Sequence, residues 1–240
     1  MKDEVIPKEK WEFDKEVTEC FDDMLERSIP QYEVMRAAVT DLADKHIKAK
    51  TDVIDLGASR GEAVMPLIKK YGAWNNWILV EKSKPMVEIL NKRFAGWIEP
   101  NVVNVRNIDL REEFPFTRKA SVILSVLTLM FVPVNYRQNI LRECYKSLEH
   151  GGALIIVEKI LGTSAELDKL MIDLYHSKKE NSGYDQESII RKALSLEGVL
   201  VPLTAKWNEM LLHEAGFKYV DSFWRWMNFA GWIAIKDKSL

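Results

Sequence analysis

The chain has 240 residues, 47% hydrophobic and 29% charged, a balance that suits one folded α/β unit with a sizeable core. Its formal net charge of −2 argues against a partner held mainly by electrostatics, such as unaided RNA, although a local basic face stays open. No apolar run approaches the ~20 residues of a membrane span, the polar opening MKDEVIPKEK is no signal peptide, and two cysteines, Cys20 and Cys144, fit buried thiols in a reducing cytosol. In chain order, Val17, Cys20, Phe21, Met24 and Leu25 recur at helical spacing over 14–27, and Arg27-Ser28-Ile29-Pro30 stops that helix. A second helix is expected over 31–48. The pattern then changes: 53–56 reads as a strand, 61–71 as a helix ended by Gly72, 77–80 as a strand ended by Glu81, and 85–94 as a helix opened by Pro85. Residues 102–105 and 120–126 read as the third and fourth strands. Tyr136, Ile140, Leu141, Cys144 and Leu148 form a helical stripe before Gly151-Gly152, and 153–157 is the fifth strand. Residues 163–200 are helical and polar with a break at Asn181-Ser182-Gly183, and 218–226 and 230–236 pair as a hairpin through Met227-Asn228-Phe229.

Strands that alternate with helices imply right-handed crossovers and a mostly parallel sheet covered on both faces. The expected architecture is therefore α/β: a Rossmann-like, seven-stranded, mostly parallel sheet with a C-terminal antiparallel hairpin and a helical insertion acting as lid or dimer surface. One domain spans 1–240, divided into an N-terminal helical cap (1–50), a cofactor-binding core (51–160), the helical insertion (161–205) and the C-terminal strands (206–240).

In such sheets ligands sit at the carboxyl ends of the strands, where strand order reverses. The first strand ends at Asp55-Leu56, so Gly57-Ala58-Ser59-Arg60-Gly61 lies there, with glycines for close backbone approach and a helix start for an anion. The Gly57…Gly61 spacing is not the G-x-G-x-x-G of dinucleotide sites, which counts against a nicotinamide or flavin enzyme. On its own the loop supports a tight turn as well as a cradle. Glu81, followed by Lys82, ends the second strand about twenty residues on, where an acid accepts hydrogen bonds from both ribose hydroxyls. Asp109, after the third strand, stands where a carboxylate receives the exocyclic amine of adenine. Together the three strand ends describe a site for an adenosine without a pyrophosphate.

These residues, with Asn107-Ile108-Asp109, resemble the binding motifs of class I S-adenosylmethionine-dependent methyltransferases. Trp11-x-Phe13-Asp14, Arg27-Ser28-Ile29-Pro30-x-Tyr32, Glu158-Lys159, Asn181-x-Gly183-Tyr184 and His213-x-Ala215-Gly216-Phe217 extend the resemblance, over nearly the whole chain, to the carboxy-S-adenosylmethionine synthase family. That family works in tRNA wobble-uridine modification and uses prephenate to carboxylate the methyl group of the cofactor. The resemblance implies that Tyr32 closes over the cofactor, that Gly57, Ala58 and Ser59 line its methionine part, that Glu81 holds the ribose, and that Asp109-Leu110 meets the adenine. It also implies a homodimer. The chain departs from the family at Ala193, where an arginine would hold the added carboxylate, at Leu194 after it, and at Val126, where an asparagine would stand on the fourth strand. Arg191 and Lys192 are the neighbours that could compensate, but on a helix they point about 100–200° away from position 193. The lost arginine favours S-adenosylmethionine as cofactor and methyl transfer to a small-molecule acceptor or a tRNA-pathway substrate as reaction. The alternatives are carboxylation of the cofactor and a non-catalytic cofactor-binding protein. No metal-ligand spacing is visible. Catalytic candidates are few: His176 with Tyr175 as an acceptor base, and Arg60 as a contact to an anionic acceptor.

Overall fold

Along the residues described by this computed structural model, 2–5 and 9–237, the larger elements follow the expected order. They are α1 (Lys15–Ser28), α2 (Tyr32–His46), β1 (Asp52–Leu56), α3 (Met65–Tyr71), β2 (Asn76–Glu81), α4 (Lys84–Arg93), α5 (Ala95–Ile98), β3 (Val103–Asn107), β4 (Ala120–Val126), α6 (Val134–Ser147), β5 (Leu148–Leu161), α7 (Ala165–Asn181), α8 (Gln186–Leu196), β6 (Leu203–Thr204), α9 (Ala205–Ala215), β7 (Tyr219–Trp226) and β8 (Phe229–Ile235). Residue 1 and residues 6–8 of the polar opening stretch lie outside the described residues.

The sheet runs β3-β2-β1-β4-β5-β8-β7, and the two-residue β6 pairs with β5 beside this path. β1 to β5 pair in parallel, while β8 runs antiparallel to both β5 and β7. Alternate strand residues face opposite layers, so the strands read as near-continuous apolar runs. Ile54, Leu56 and Ile123 pack with Ile140 and Leu141 of α6 and Leu211 and Leu212 of α9. Val53, Val122 and Leu124 pack with Met35 and Val39 of α2, Leu67 and Ile68 of α3, and Leu90 of α4. Cys20 and Cys144 are buried free thiols, as expected. No helix among the described residues is long and apolar enough to cross a membrane.

Four differences from the sequence expectation have local causes. The helix expected from Gly61 begins only at Met65, because Gly61 sits at φ +81° and residues 62–64 finish the preceding loop. β5 starts at Leu148, not 153, because Leu148 already pairs with Ala120 across a register shift. Phe229 belongs to β8, paired with Trp226, which leaves Met227-Asn228 as the hairpin turn. Helix α9 was not expected, yet its boundaries are written locally. Thr204 caps it by accepting the Trp207 N–H (3.2 Å), and Gly216 ends it at φ +116°.

Gly61 has a second constraint besides its positive φ: a Cβ there would collide with the fully buried ring of Phe94. Left-handed backbone costs a non-glycine residue ~1–2 kcal/mol and overpacking a further ~1–3. Gly61→Ala is therefore expected to lower unfolding free energy by about 2–4 kcal/mol, read from the urea midpoint at unchanged slope.

Candidate functional site

β1 and β4 are neighbours whose following chains leave in opposite directions, so a crevice opens at their carboxyl ends. After β1 the backbone turns over β2: Gly57 and Ala58 both donate their N–H groups to the Val80 carbonyl (2.9 and 2.8 Å). Gly57, at φ +72°, lies so close to the Thr128 side chain that a Cβ has no room. Thr128 Oγ1 in turn donates to the Leu56 carbonyl (2.8 Å), so the loops after β1 and β4 are locked together. Ser59, at φ +50°, donates its N–H to Glu81 Oε2 (2.8 Å), and Ser83 donates its own to Oε1 (2.8 Å). Glu81 is buried, and burial pushes its carboxyl up against the pull of those N–H groups. Each carboxylate oxygen keeps a lone pair for a further donor. The Asn107 amide braces this corner by donating to the carbonyls of Glu81 and Lys82 (both 2.9 Å).

Asp109 lies beyond β3 at the same edge, and its carboxylate is held by Arg111 Nε (2.9 Å) and Lys82 Nζ (2.9 Å). Arg111 first, and Lys82 after it, hold this carboxyl well below the usual range. Lys82 thus turns to Asp109, while Leu110 packs partly buried against the core.

Next to the glycine loop is a cavity of roughly 1000 Å³, its mouth included. Gly57, Ala58, Ser59, Asp55 and Val126 form its floor; Trp11, Phe13, Phe21 and Tyr32 come from the N-terminal segment and Tyr175 from α7. Its roof is sewn down by Trp11 N–H to the Ser195 carbonyl (2.9 Å), by Arg27 Nε to the Ser182 carbonyl (2.8 Å), and by Ser83 Oγ to the Phe13 carbonyl (2.6 Å). Asp55 is buried at the floor, and desolvation, only partly opposed by the Arg36 guanidinium, pushes its carboxyl up to about 7. Its Oδ2 has no hydrogen-bond partner among the described residues. Arg36, also lining the cavity, carried no sequence signal.

The cavity is also basic, which the sequence reading missed. Lys159 of β5, Lys179 of α7 and Lys192 of α8 all line it. Lys192 is neutralised by Asp3, whose Oδ2 sits 2.6 Å from its Nζ, and Asp3 also accepts the Tyr184 hydroxyl. Ala193 is exposed, beside the 55% and 59% exposed Ile190 and Leu194, so it does not face this cavity. Lys192, one helical step away, does. Arg191 is exposed and paired to Glu187 at 2.6 Å.

Of the catalytic candidates, Tyr175 lines the cavity with its hydroxyl pushed up by burial. His176 is half-buried against the Tyr175 ring and does not line the cavity; burial, then the charges of Lys179 and Lys159, lower it. Arg60 turns out to Asp22 (3.1 Å).

A methyltransferase-domain family model matches residues 53–152, which run from β1 into β5. The carboxy-S-adenosyl-L-methionine synthase of Methylococcus capsulatus is 35% identical over 225 residues, 93% of both chains. That of Wolinella succinogenes is 35% identical over 244 residues, 100% of both. Among solved structures, a Haemonchus contortus phosphoethanolamine N-methyltransferase 2 in complex with S-adenosyl-L-methionine aligns with TM-score 0.61 at 12% identity, covering 85% of this chain and 53% of that one. S-adenosylmethionine is accordingly the cofactor, and this chain fits it: the Gly57 cradle admits no side chain, and buried Asp55 keeps an oxygen unpartnered at its floor. On the expectation that Glu81 accepts from the ribose hydroxyls, replacing its carboxylate removes charge-assisted hydrogen bonds worth ~1.5–3 kcal/mol. Glu81→Gln should weaken S-adenosylmethionine binding about ten- to a hundredfold in a calorimetric titration. With relatives matching end to end and the domain model seated on the cradle itself, the chain belongs to the carboxy-S-adenosyl-L-methionine synthase family of S-adenosylmethionine-dependent transferases.

Proposed function

We propose that this protein, acting in the cytoplasm, transfers the methyl group of S-adenosylmethionine to a small acceptor enclosed beside the cradle. One observation carries this reading: Gly57, Ala58 and Ser59 belong to the same cavity as Phe13, Phe131 and Tyr175, so cofactor loop and acceptor space are continuous. Bound there, the cofactor supplies an electrophilic methyl on a sulfonium. The protein's share is orientation and exclusion of water, which effective-molarity measurements value at up to ~7–11 kcal/mol.

In this reading Tyr32 closes the cavity over the methionine part, and Asp55, Gly57, Ala58, Ser59 and Gly61 hold that part from below. Glu81 takes the ribose. Asp109 and Leu110 flank the adenine, with Lys82 fixing Asp109, and Val126 forms the floor toward the acceptor. Tyr175 remains the acceptor-side group nearest the chemistry; His176 and Arg60 stand outside the cavity.

A second reading is carboxylation of the cofactor, as the relatives are named, feeding tRNA modification. The observation favouring it is the trio of lysines in the cavity wall, because a basic wall suits an anionic carboxyl donor better than a neutral acceptor. Leu167, Leu170 and Leu174 form an exposed stripe on α7, Ile190 and Leu194 are exposed on α8, and these apolar positions support a homodimer.

Incubation with S-adenosylmethionine, with and without prephenate, is read by mass spectrometry. Transfer of labelled methyl to an acceptor in a cell extract is expected; a cofactor that gains one carboxylate overturns the first reading in favour of the second. Sedimentation should show a dimer that Leu170→Glu shifts to monomer, and a monomeric wild type removes the dimer.

A further inference from the structure

Helix α2 sends one charged side chain into the cavity. Met35 and Val39 are fully buried in the core, and that packing leaves Arg36, half-buried, lining the cavity with the glycine loop. Its guanidinium presents five N–H donors in a planar fork. Among the described residues that fork has no hydrogen-bond or ion-pair partner; it rests 5.9 Å from the centroid of the Tyr32 ring, one turn earlier on the helix. The surrounding acids are engaged elsewhere. Glu62, which also lines the cavity, pairs with Arg93, and Arg93 donates in addition to the Arg60 carbonyl (2.8 Å). Asp22 pairs with Arg60 at 3.1 Å. Asp55 is near enough for the Arg36 charge to oppose the upward push of burial on its carboxyl, yet no hydrogen bond joins the two, and Asp55 Oδ2 has no partner. A buried carboxylate oxygen and a free guanidinium thus line one cavity unjoined. A ligand with an ammonium and a carboxylate on the same carbon answers both, because a buried charge is costly until it is matched.

We propose that Arg36 binds the α-carboxylate of S-adenosylmethionine and so fixes the methionine end of the cofactor between α2 and the glycine loop. Arg36 lies outside the residue blocks that carry the family resemblance. Its role rests on the cofactor and not on the group transferred, so it holds for methyl transfer and carboxylation alike. A guanidinium suits the task, since its fork meets both oxygens of a carboxylate and orients the amino-acid tail as well as attracting it. A fixed tail in turn sets where the sulfonium stands in the cavity.

The test is a calorimetric titration with two nucleosides, S-adenosylhomocysteine and its decarboxylated analogue 5′-(3-aminopropylthio)-5′-deoxyadenosine. Wild type should prefer S-adenosylhomocysteine by about tenfold or more, as one charge-assisted contact gives. Arg36→Met keeps an unbranched apolar stem and removes the charge. It should abolish the preference by weakening S-adenosylhomocysteine alone, with the decarboxylated analogue bound within about twofold of wild type. If that variant folds poorly, Arg36→Lys takes its place and should lower the preference about threefold or more, because lysine offers a point charge instead of a fork. No preference in wild type, or a preference unchanged by substitution, overturns the role. An equal loss for both nucleosides also overturns it, since Arg36 would then support the cavity wall without touching the carboxylate. A wild type that binds neither nucleoside overturns the cofactor assignment itself, a result distinct from all of these. Absence of methyl transfer with the preference intact overturns only the methyl-transfer reading and keeps the role of Arg36.

Discussion

The packing of two loops at the carboxyl edge of the sheet constrains everything around the site. β1 and β4 are neighbours, but the chain leaves β1 over β2 and leaves β4 toward β5, so both exits crowd the same crevice. The conflict is resolved by giving one exit no side chain and the other a short one. Gly57 yields its Cβ space to Thr128, and the Thr128 hydroxyl ties back to Leu56. With the loop fixed there, its next N–H, from Ser59, reaches the Glu81 carboxylate at the end of β2. A backbone approach that only glycine permits therefore also fixes the Glu81 carboxylate at the end of β2.

Above this edge the cavity is closed by segments that have no place in the sheet. The N-terminal stretch lies under α8 through Trp11 and Ser195, and α1 is tied to the α7–α8 turn through Arg27 and Ser182. The Arg27 guanidinium also stacks 3.9 Å from the Tyr184 ring centroid, and Asp3 reaches from the chain's start to Lys192. Because both ends of the roof are held by these contacts, the cap and the helical insertion form one wall. An active-site roof built this way excludes water and keeps charges at low dielectric, where each is worth more than in solvent.

The charges around that enclosure are paired across elements: the Arg36 guanidinium acts on Asp55, and Asp3 pairs with Lys192. Two acids buried near the cradle, Asp55 and Glu81, carry carboxyl groups raised by burial. Lys159, Lys179 and Lys192 line the cavity from β5, α7 and α8. Glu158 is a separate case. Burial pushes it up to about 8, and it accepts the Leu129 N–H at 3.0 Å, bracing the chain after β4 instead of facing a ligand.

Much of this was legible in the residues alone. The alternation of short apolar strands with amphipathic helices follows from periods of 2 and 3.6, which are properties of the local chain, and it determined the parallel sheet, the terminal hairpin and the crevice. Asp55 to Gly61, Glu81 and Asp109 were readable because strand ends are marked by the point where apolar runs stop. Helix α9 was missed although Thr204 and Gly216 mark it, since its apolar stripe is short and follows an irregular stretch. What only the tertiary structure decided is which side chains meet. Lys159, Lys179 and Lys192 are distant in sequence and individually ordinary, and no local period says that three elements turn them into one cavity. Position 193 gave the opposite lesson: the missing arginine was visible in the sequence, but the facing of a helix is set by what it packs against, and that packing turned Ala193 out and Lys192 in.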